Sequence, residues 1–428
     1  MALTINQDPN SSFVFSPSHN PIEYLVNSDN STQPNFKVNC LIYYDVAGAN
    51  SLVATIKKPI EYGTTKAIID ISSIVRSKDF EEYPYFLTPG TANTLTELKQ
   101  WRAVFREYYG ITPALSGASA SGATFPAWHG DFRYKDWQNN NYRNYVGIAG
   151  QNKKYLTNFE NHEERDIFAP ITTFNTINGS TPFRTINYNQ SVYLCSLISQ
   201  VTGVATLNIA LFDSSYTLID SAQLNSAAVA GKPYRCDWRI TPSSLVADYG
   251  FSSGDVEDAV YIQCYSSIPT GYVNTKAYMF KIDRCTNPKW GSSYELMWLN
   301  RMGGWDTWIF NGKFKRSIQT DKKLLKNDVT RRISGSTIVN DAYARRKKQY
   351  NTSVVEQYSL NSDIMSQMEY EGLEDLITSP NVFWNDSGVW RAVNVINTDY
   401  EGKTNRVDRI ISLGLTFEID MSNTLQQW

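Results

Sequence analysis

Over the first 110 residues, apolar and polar positions alternate with a period of two. Phe36, Val38, Cys40, Ile42 and Tyr44 alternate with Lys37, Asn39, Leu41, Tyr43 and Asp45, which predicts a strand with one face in a core. Further strands are predicted at 52–58, 66–71 and 101–109, with a helical turn over 72–79. The small-residue tract 113–125 reads as a mobile segment unless a partner orders it. In the middle of the chain, Leu207, Ile209 and Leu211 alternate with Thr206, Asn208 and Ala210. Asp213-Ser214-Ser215 then turns the chain into 216–219, and strands at 234–240, 259–265 and 276–282 follow at the spacing of a sandwich or jelly roll. The pattern is densest at 294–318, which reads as three short strands, 294–300, 305–310 and 313–318. They are separated by Gly303-Gly304 and Asn311-Gly312, whose glycines supply the positive φ of tight turns. Trp305 and Ile309 lie on one face of the second strand and Trp308 and Phe310 on the other. A strand apolar on both faces is sandwiched in a core or pressed against another subunit. Helical periodicity is clear once. Ser362 or Asp363 is placed to cap a helix over 363–378 with Ile364, Met365, Met368, Leu373, Leu376 and Ile377 on one face, and Pro380 stops it. Strands at 349–358, 389–396 and 406–420 complete the chain.

The predicted fold class is therefore mainly β, with several β-sandwich domains and one amphipathic helix near the C-terminus. Three regions are expected: 1–167, an N-terminal sandwich with an aromatic loop region; 168–287, a sandwich readable as an insertion; and 288–428, hairpins plus the 363–378 helix, packing with the N-terminal domain. The hairpin Leu-Phe-Asp-Ser-Ser-Tyr-Thr-Leu-Ile-Asp at 211–220 resembles those of carbohydrate-binding modules and other jelly rolls, a likeness of fold that carries no function by itself.

Composition sharpens this picture in two ways. Aromatic residues reach 13%, with 27 Tyr and 11 Trp, more than ordinary cores require and in keeping with subunit interfaces, where both types are enriched. The net charge of −2 hides an asymmetry: 313–348 holds twelve Lys/Arg against three Asp, about +9, leaving about −11 elsewhere. Arg345-Arg346-Lys347-Lys348 is the densest run. Such a segment can stay a solvated hairpin, pair with an acidic neighbouring subunit, or neutralise phosphates along a channel, and the DNA contact is the less favoured reading. Five widely spaced cysteines without a C-x-x-C read as reduced, buried apolar residues. The N-terminus lacks the basic and apolar regions of a secretory signal, and no apolar run reads as a membrane span, so synthesis and folding in a cytoplasm without membrane insertion are expected.

Motifs of catalysis are not legible. There is no G-x-S-x-G, Walker or dinucleotide fingerprint, and His19, His129 and His162 read as loop histidines. Glu163/Glu164 and Glu369/Glu371 are paired acids of the kind a glycosidase needs, but the spacing alone is weak. Asp255, Glu257 and Asp258 lack the spacing of a calcium loop. No enzyme activity, catalytic residue, metal or cofactor is expected.

At Trp298-Leu-Asn-Arg-Met-Gly-Gly-Trp-Asp-Thr-Trp-Ile-Phe310 the sequence resembles tail and baseplate (hub) structural proteins of tailed bacteriophages, particularly those infecting Bacteroides-type hosts. Phe-Ser-Pro-Ser-His-Asn-Pro-Ile-Glu-Tyr at 15–24, Phe-Arg-Glu-Tyr-Tyr-Gly at 105–110 and the segment 389–420 share the likeness. The resemblance implies a virion component of the tail, assembled in the host cytoplasm as a ring or hub from copies of itself and other virion proteins. A ring closes through a heterologous interface. Interface candidates are Trp298, Trp305, Trp308, Phe310, Arg345, Arg346, Lys347 and Lys348. The alternative is an adhesin or receptor-binding protein whose middle sandwich binds a host surface glycan, with Trp128 and Trp137 as glycan-contact candidates.

Overall fold

The computed structural model describes residues 3–9, 22–46, 49–81, 93–127, 146–147, 157, 159, 184–198, 202–230, 234–267, 277–284, 293–326, 331–340, 347–397, 400–401, 410–419 and 423–427. The fold is mainly β, with several antiparallel sheets, one curled half-barrel sheet and few short helices. The chain divides into two compact units: Met1–Thr286 with Leu299–Thr307, and Asn287–Trp298 with Trp308–Trp428.

The first unit contains two cores. In the N-terminal one, the strand Lys37–Val46 pairs on one side with Ala49–Lys58 and on the other with Gln100–Tyr109. The alternation read from the sequence is realised there: Val38, Cys40, Ile42 and Tyr44 are buried, and Trp101, Ala103 and Phe105 from the neighbouring strand join them. A three-stranded sheet of Leu3–Gln7, Glu23–Ser28 and Lys66–Asp70 supplies Tyr24, Val26, Ala67 and Ile69 to the same core. The helical turn expected at 72–79 is a helix, Ser72–Glu81. The tract 113–125 is not a free linker. Ala114–Ser121 and Phe125–Pro126 both pair with Gln100–Tyr109, so the chain's own strand orders the segment. Small residues suit that position: a Cβ at Gly122 would lie 2.6 Å from the Tyr24 ring.

The second core of this unit lies between a five-stranded and a four-stranded sheet. The five-stranded sheet runs Arg184–Asn187, Tyr278–Asp283, Tyr261–Ser267, Thr202–Phe212, Leu218–Ala230. The other runs Val146–Gly147, Val192–Ile198, Tyr234–Ile240, Asn93–Glu97. Two of those strands come from outside 168–287, a long-range pairing that periodicity cannot disclose. Leu194, Leu207, Ile209, Leu211, Trp238 and Ile262 fill the space between the sheets. Two short helices that the sequence reading lacks, Leu245–Tyr249 and Ser253–Asp258, follow Tyr234–Ile240.

One further sheet has the order Trp305–Phe310, Tyr294–Leu299, Val382–Asp386, Val389–Val395, Gly414–Ile419, Lys347–Asn361, Phe314–Lys326, with Asn423–Gln427 also on Lys347–Asn361, and all of it except Leu299 and Trp305–Thr307 belongs to the second unit. Its two end strands are consecutive in the chain and joined only by Asn311, Gly312 and Lys313. A sheet with its ends tied this closely has to curl. Tyr294 accordingly packs against Phe314 from the opposite end, ring centroids 5.2 Å apart, and Tyr358, Trp384 and Phe417 stack within the same cluster.

Gly312 sits at this junction, and its role differs from the positive φ assigned by the sequence. Its φ is ordinary, whereas a Cβ there would lie 2.2 Å from the Asn361 carbonyl oxygen. Gly312 N–H donates to that oxygen at 2.9 Å, and Asn361 N–H and Nδ2 both donate to Lys313 O. Glycine is needed for close approach. The expected 363–378 helix is two helices, Gln367–Gly372 and Glu374–Thr378. Ser366 rather than Ser362 or Asp363 caps the first, in a capping box with Glu369. Ser362 serves another bond, accepting from Leu413 N–H through its hydroxyl.

Candidate functional site

Three features outside the ordinary packing merit a functional reading: a basic ribbon, a polar network around the 299–307 turn, and a strained tyrosine.

The ribbon is formed by Phe314–Lys326 and Lys347–Asn361, paired from Phe314 opposite Leu360 to Lys326 opposite Lys347. From Lys315 to Leu324 every side chain is exposed except the half-buried Ser317. Successive side chains of a strand point to opposite faces, so continuous exposure puts both faces of this strand in solvent. Such a stretch forms no core of its own. Its order comes from the ladder and from Asn423–Gln427, which pairs with Asn351–Val354. Between the two long strands a second hairpin, Arg331–Ser334 with Thr337–Asn340, turns at Gly335, φ 63°. Arg316 donates to Glu356 at 2.6 Å across the ladder, and this bond pushes the guanidinium pKa up. Lys315, Lys322 and Lys323 make no ion pair among the described residues. Ile318 and Leu324 add exposed apolar area between these charges. The arrangement offers cations and exposed apolar side chains on one ribbon, a chemistry that suits an anionic partner.

The second feature lies in the first unit, under the turn the sequence marks most strongly. Asn300 organises it. Its N–H donates to Gly304 O, its carbonyl accepts from Gly303 N–H, and its Oδ1 accepts from Gly304 N–H at 2.9 Å. Gly303 has φ 86°, the left-handed conformation expected of it. Asn300 Nδ2 then donates to Asp306 Oδ2 at 2.8 Å, and Thr157 Oγ1 donates to Asp306 Oδ1 at 2.5 Å. Next along the strand, Thr307 O accepts from Arg184 and from Gln190 Nε2, and Thr307 Oγ1 donates to Ser191 O. The Arg184 guanidinium lies 3.7 Å over the Phe159 ring, at a narrow recess that Tyr278 and Phe280 also line. Asp306 is held at both oxygens by neutral donors, an arrangement that fixes a turn.

Cys195 is near this network, opposite Asp237 in the sheet. Burial, reinforced by the Asp237 carboxylate, holds its thiol well above the usual range, so it stays protonated and unreactive. Asp237 itself accepts both carboxylate bonds from Arg235 Nε, at 2.9 and 3.1 Å.

Tyr216 is the third feature. It has φ 63°, unusual for a bulky residue, and its ring is exposed at the tip of the 213–217 turn, 5.0 Å from the Tyr261 ring. Asp213 creates the turn by accepting from Ser215 N–H and Thr217 N–H. An exposed aromatic face held in place by its backbone is suited to stacking on a sugar. The sequence pattern marks the turn there but gives no sign of the φ.

The interface candidates fall into different settings. Trp298, Trp305 and Phe310 are at most 1% exposed in this single chain, so they present no surface to a neighbouring copy; they are sandwiched, the other outcome the pattern allows. Trp308 is half-buried. Lys347 is exposed and opens the strand Lys347–Asn361, which also contains Lys348. Arg345, Arg346, Trp128 and Trp137 lie outside the described residues, as do all three histidines, Glu163/Glu164 and Cys285.

Other acids have local partners. Asp255 accepts from Ser252 at the start of Ser253–Asp258, Glu369 closes the capping box, and Glu371 accepts from Gln367. Among the described residues no cluster of three metal-ligating side chains occurs, and no helix is long and apolar enough to cross a membrane. Cys40, Cys195, Cys236 and Cys264 are buried free thiols, as their sequence context implies. No protein-family model and no curated protein matches the chain.

Proposed function

We propose that this chain is a non-enzymatic structural component of a bacteriophage virion, packing with copies of itself and other virion proteins into a ring or hub of the tail or baseplate. The observation that carries this reading is the ribbon. A long strand exposed on both faces, bearing Lys315, Lys322 and Lys323 without an ion pair among the described residues and exposed Ile318 and Leu324, is of little use to an isolated molecule and well suited to being covered by a partner. The resemblance around 298–310 points to the same class. On this reading the buried turn network keeps the joining segment rigid and the ribbon makes the contact. The test is mass spectrometry of gradient-purified particles followed by immunogold labelling with an antibody against the full chain. Labelling of the tail is the expected result; absence of the chain from purified particles overturns the proposal.

A second reading, a glycan-binding adhesin, rests on Tyr216. It expects the full chain to bind a defined glycan on an array and Tyr216→Ala to lose that binding while the fold is unchanged. A glycan array without a specific hit removes this reading.

A further inference from the structure

We infer that the basic ribbon docks on double-stranded DNA, entering a groove by its free edge, Phe314–Lys326. The choice of duplex DNA among polyanions rests on the proposed role, because a tail component borders the path of the genome. The sequence alone favours a protein neighbour for the basic segment; the geometry of the ladder turns the balance. Between 322 and 348 there are nine Lys/Arg against two Asp. Successive side chains of a strand point to opposite faces, so Lys315 and Lys323 lie on one face of Phe314–Lys326, while Lys322 lies on the other with Arg316, Ile318 and Leu324. All three lysines are exposed, and none makes an ion pair among the described residues. Arg316 is held by Glu356, and Asp321, on the Lys315 face, is the one acid of the strand. On the neighbouring strand, exposed Lys347 stands directly opposite Lys326 in the register. Like charges set opposite each other destabilise a ladder, and an anion lying along the ribbon relieves that repulsion.

A flat protein surface meets one face of such a ladder and leaves the cations of the other face in solvent. A duplex groove has a phosphate wall on each side, and the major groove, about 12 Å wide, admits a two-stranded ribbon. Entered edge-on, it turns the Lys322 face to one wall and the Lys315 and Lys323 face to the other. Phe314–Lys326 is placed for this because it ends its sheet, paired only with Lys347–Asn361. Lys315 and Lys323 stand about 27 Å apart along the strand at about 3.4 Å per residue. That is the length of about eight base pairs at about 3.4 Å each. Contacts of this kind go to phosphates and carry no sequence information. Ile318 and Leu324 share the Lys322 face and lose exposed apolar area when that face is covered. An acidic protein partner is the competing occupant and is one outcome of the test.

The experiment is fluorescence anisotropy of a labelled 30-base-pair duplex of arbitrary sequence, titrated with the full chain between 50 and 200 mM salt. Phosphate contacts from Lys315, Lys322, Lys323 and Lys347 give a log–log salt slope of about −3.6, so affinity falls roughly 100-fold over that range. Lys322→Gln with Lys323→Gln removes one cation from each face; it should flatten the slope by about 1.8 and weaken binding roughly tenfold at the lower salt. Lys58→Gln with Lys66→Gln is the control, because both lysines are exposed outside the ribbon and the change of net charge is the same. It should leave affinity within about twofold and the slope unaltered. Circular dichroism checks that each variant is folded. A duplex that does not bind, a slope unchanged in the ribbon variant, or an equal loss in the control overturns the inference. Poly-glutamate that binds the wild type more tightly than the duplex at equal charge overturns it in favour of an acidic protein partner. A chain that labels the tail yet ignores the duplex refutes the DNA contact and leaves the proposed virion role standing. A chain that binds the duplex through the ribbon yet is absent from purified particles removes the virion role and supports the contact.

Discussion

Substituting Gly312 by alanine tests the reasoning about how the curled sheet is tied. The added Cβ would meet Asn361 O at 2.2 Å, Asn361 C at 2.8 Å and Ser362 O at 2.9 Å, against 3.4 Å for an ordinary contact. All three obstacles are backbone, so no side chain can swing aside. One strand has to move by about an ångström, and the move disrupts Gly312 N–H to Asn361 O and Asn361 N–H to Lys313 O. Two such bonds are worth about 1 kcal/mol each, and overpacking with a backbone shift costs about 1–3 kcal/mol more. The expected destabilisation is therefore about 3–5 kcal/mol, or roughly 10 °C in the melting of the second unit. Thermal and urea unfolding measure it, with hydrogen exchange assigning the affected transition to that unit. Gly388→Ala is the control, because Gly388 has φ 92° and nothing within 4 Å of its missing Cβ. It should lose only the left-handed backbone preference, about 1–2 kcal/mol. If Gly312→Ala is no more destabilising than Gly388→Ala, close approach is not what holds glycine at this junction.

Three other outcomes are expected. Asp306→Asn turns an amide donor toward either Thr157 Oγ1 or Asn300 Nδ2 and should cost about 2–3 kcal/mol in urea unfolding; a change within experimental error would show that the carboxylate is dispensable. Burial pushes the Cys40 thiol from 9.0 up to about 12. The stability this thiol contributes is complete below the unfolded value and is lost as pH rises toward the folded one. Unfolding free energy should thus fall between pH 9 and 12 by about 1.4 kcal/mol per pH unit for this group, and comparing Cys40→Ala with the wild type across that window shows whether the slope disappears. Ser366→Ala removes the cap of Gln367–Gly372 and should cost about 1 kcal/mol, read as faster amide exchange confined to that helix.

The sequence made the strands legible where one face is wet. Lys37–Val46 stands where alternation puts it, because Val38, Cys40, Ile42 and Tyr44 all face one core. It could not show that Asn93–Glu97 pairs with Tyr234–Ile240, since a pairing over so long a separation leaves no periodic trace. The short helices at 245–258 were hidden because five or six residues are too few to display a 3.6-residue period. The single helix over 363–378 was misread for a related reason. The apolar positions continue across Gly372 and Leu373, although the α-helical ladder gives way there to tighter bonds from Leu373 N–H to Tyr370 O and from Leu376 N–H to Leu373 O. Among candidate sites, the basic segment was readable from composition. Its exposure on both faces was not, because a polar strand looks the same whether one face or two meet solvent. The tryptophans of the central motif illustrate the reverse: hydrophobicity on both faces predicts burial but does not say whether the cover is the chain itself or a neighbour.

One property of the path of the chain has a bearing on biogenesis. Leu299–Thr307 belongs to the first unit although the residues on either side belong to the second. On the ribosome, therefore, the earlier unit cannot finish when Thr286 emerges. It waits with Arg184, Gln190 and Thr157 lacking the partners that Asp306 and Thr307 later provide. Truncation products that stop before that nonapeptide should be marginal folders and ready chaperone clients, and a protease needs three cuts, rather than one, to part the two bodies.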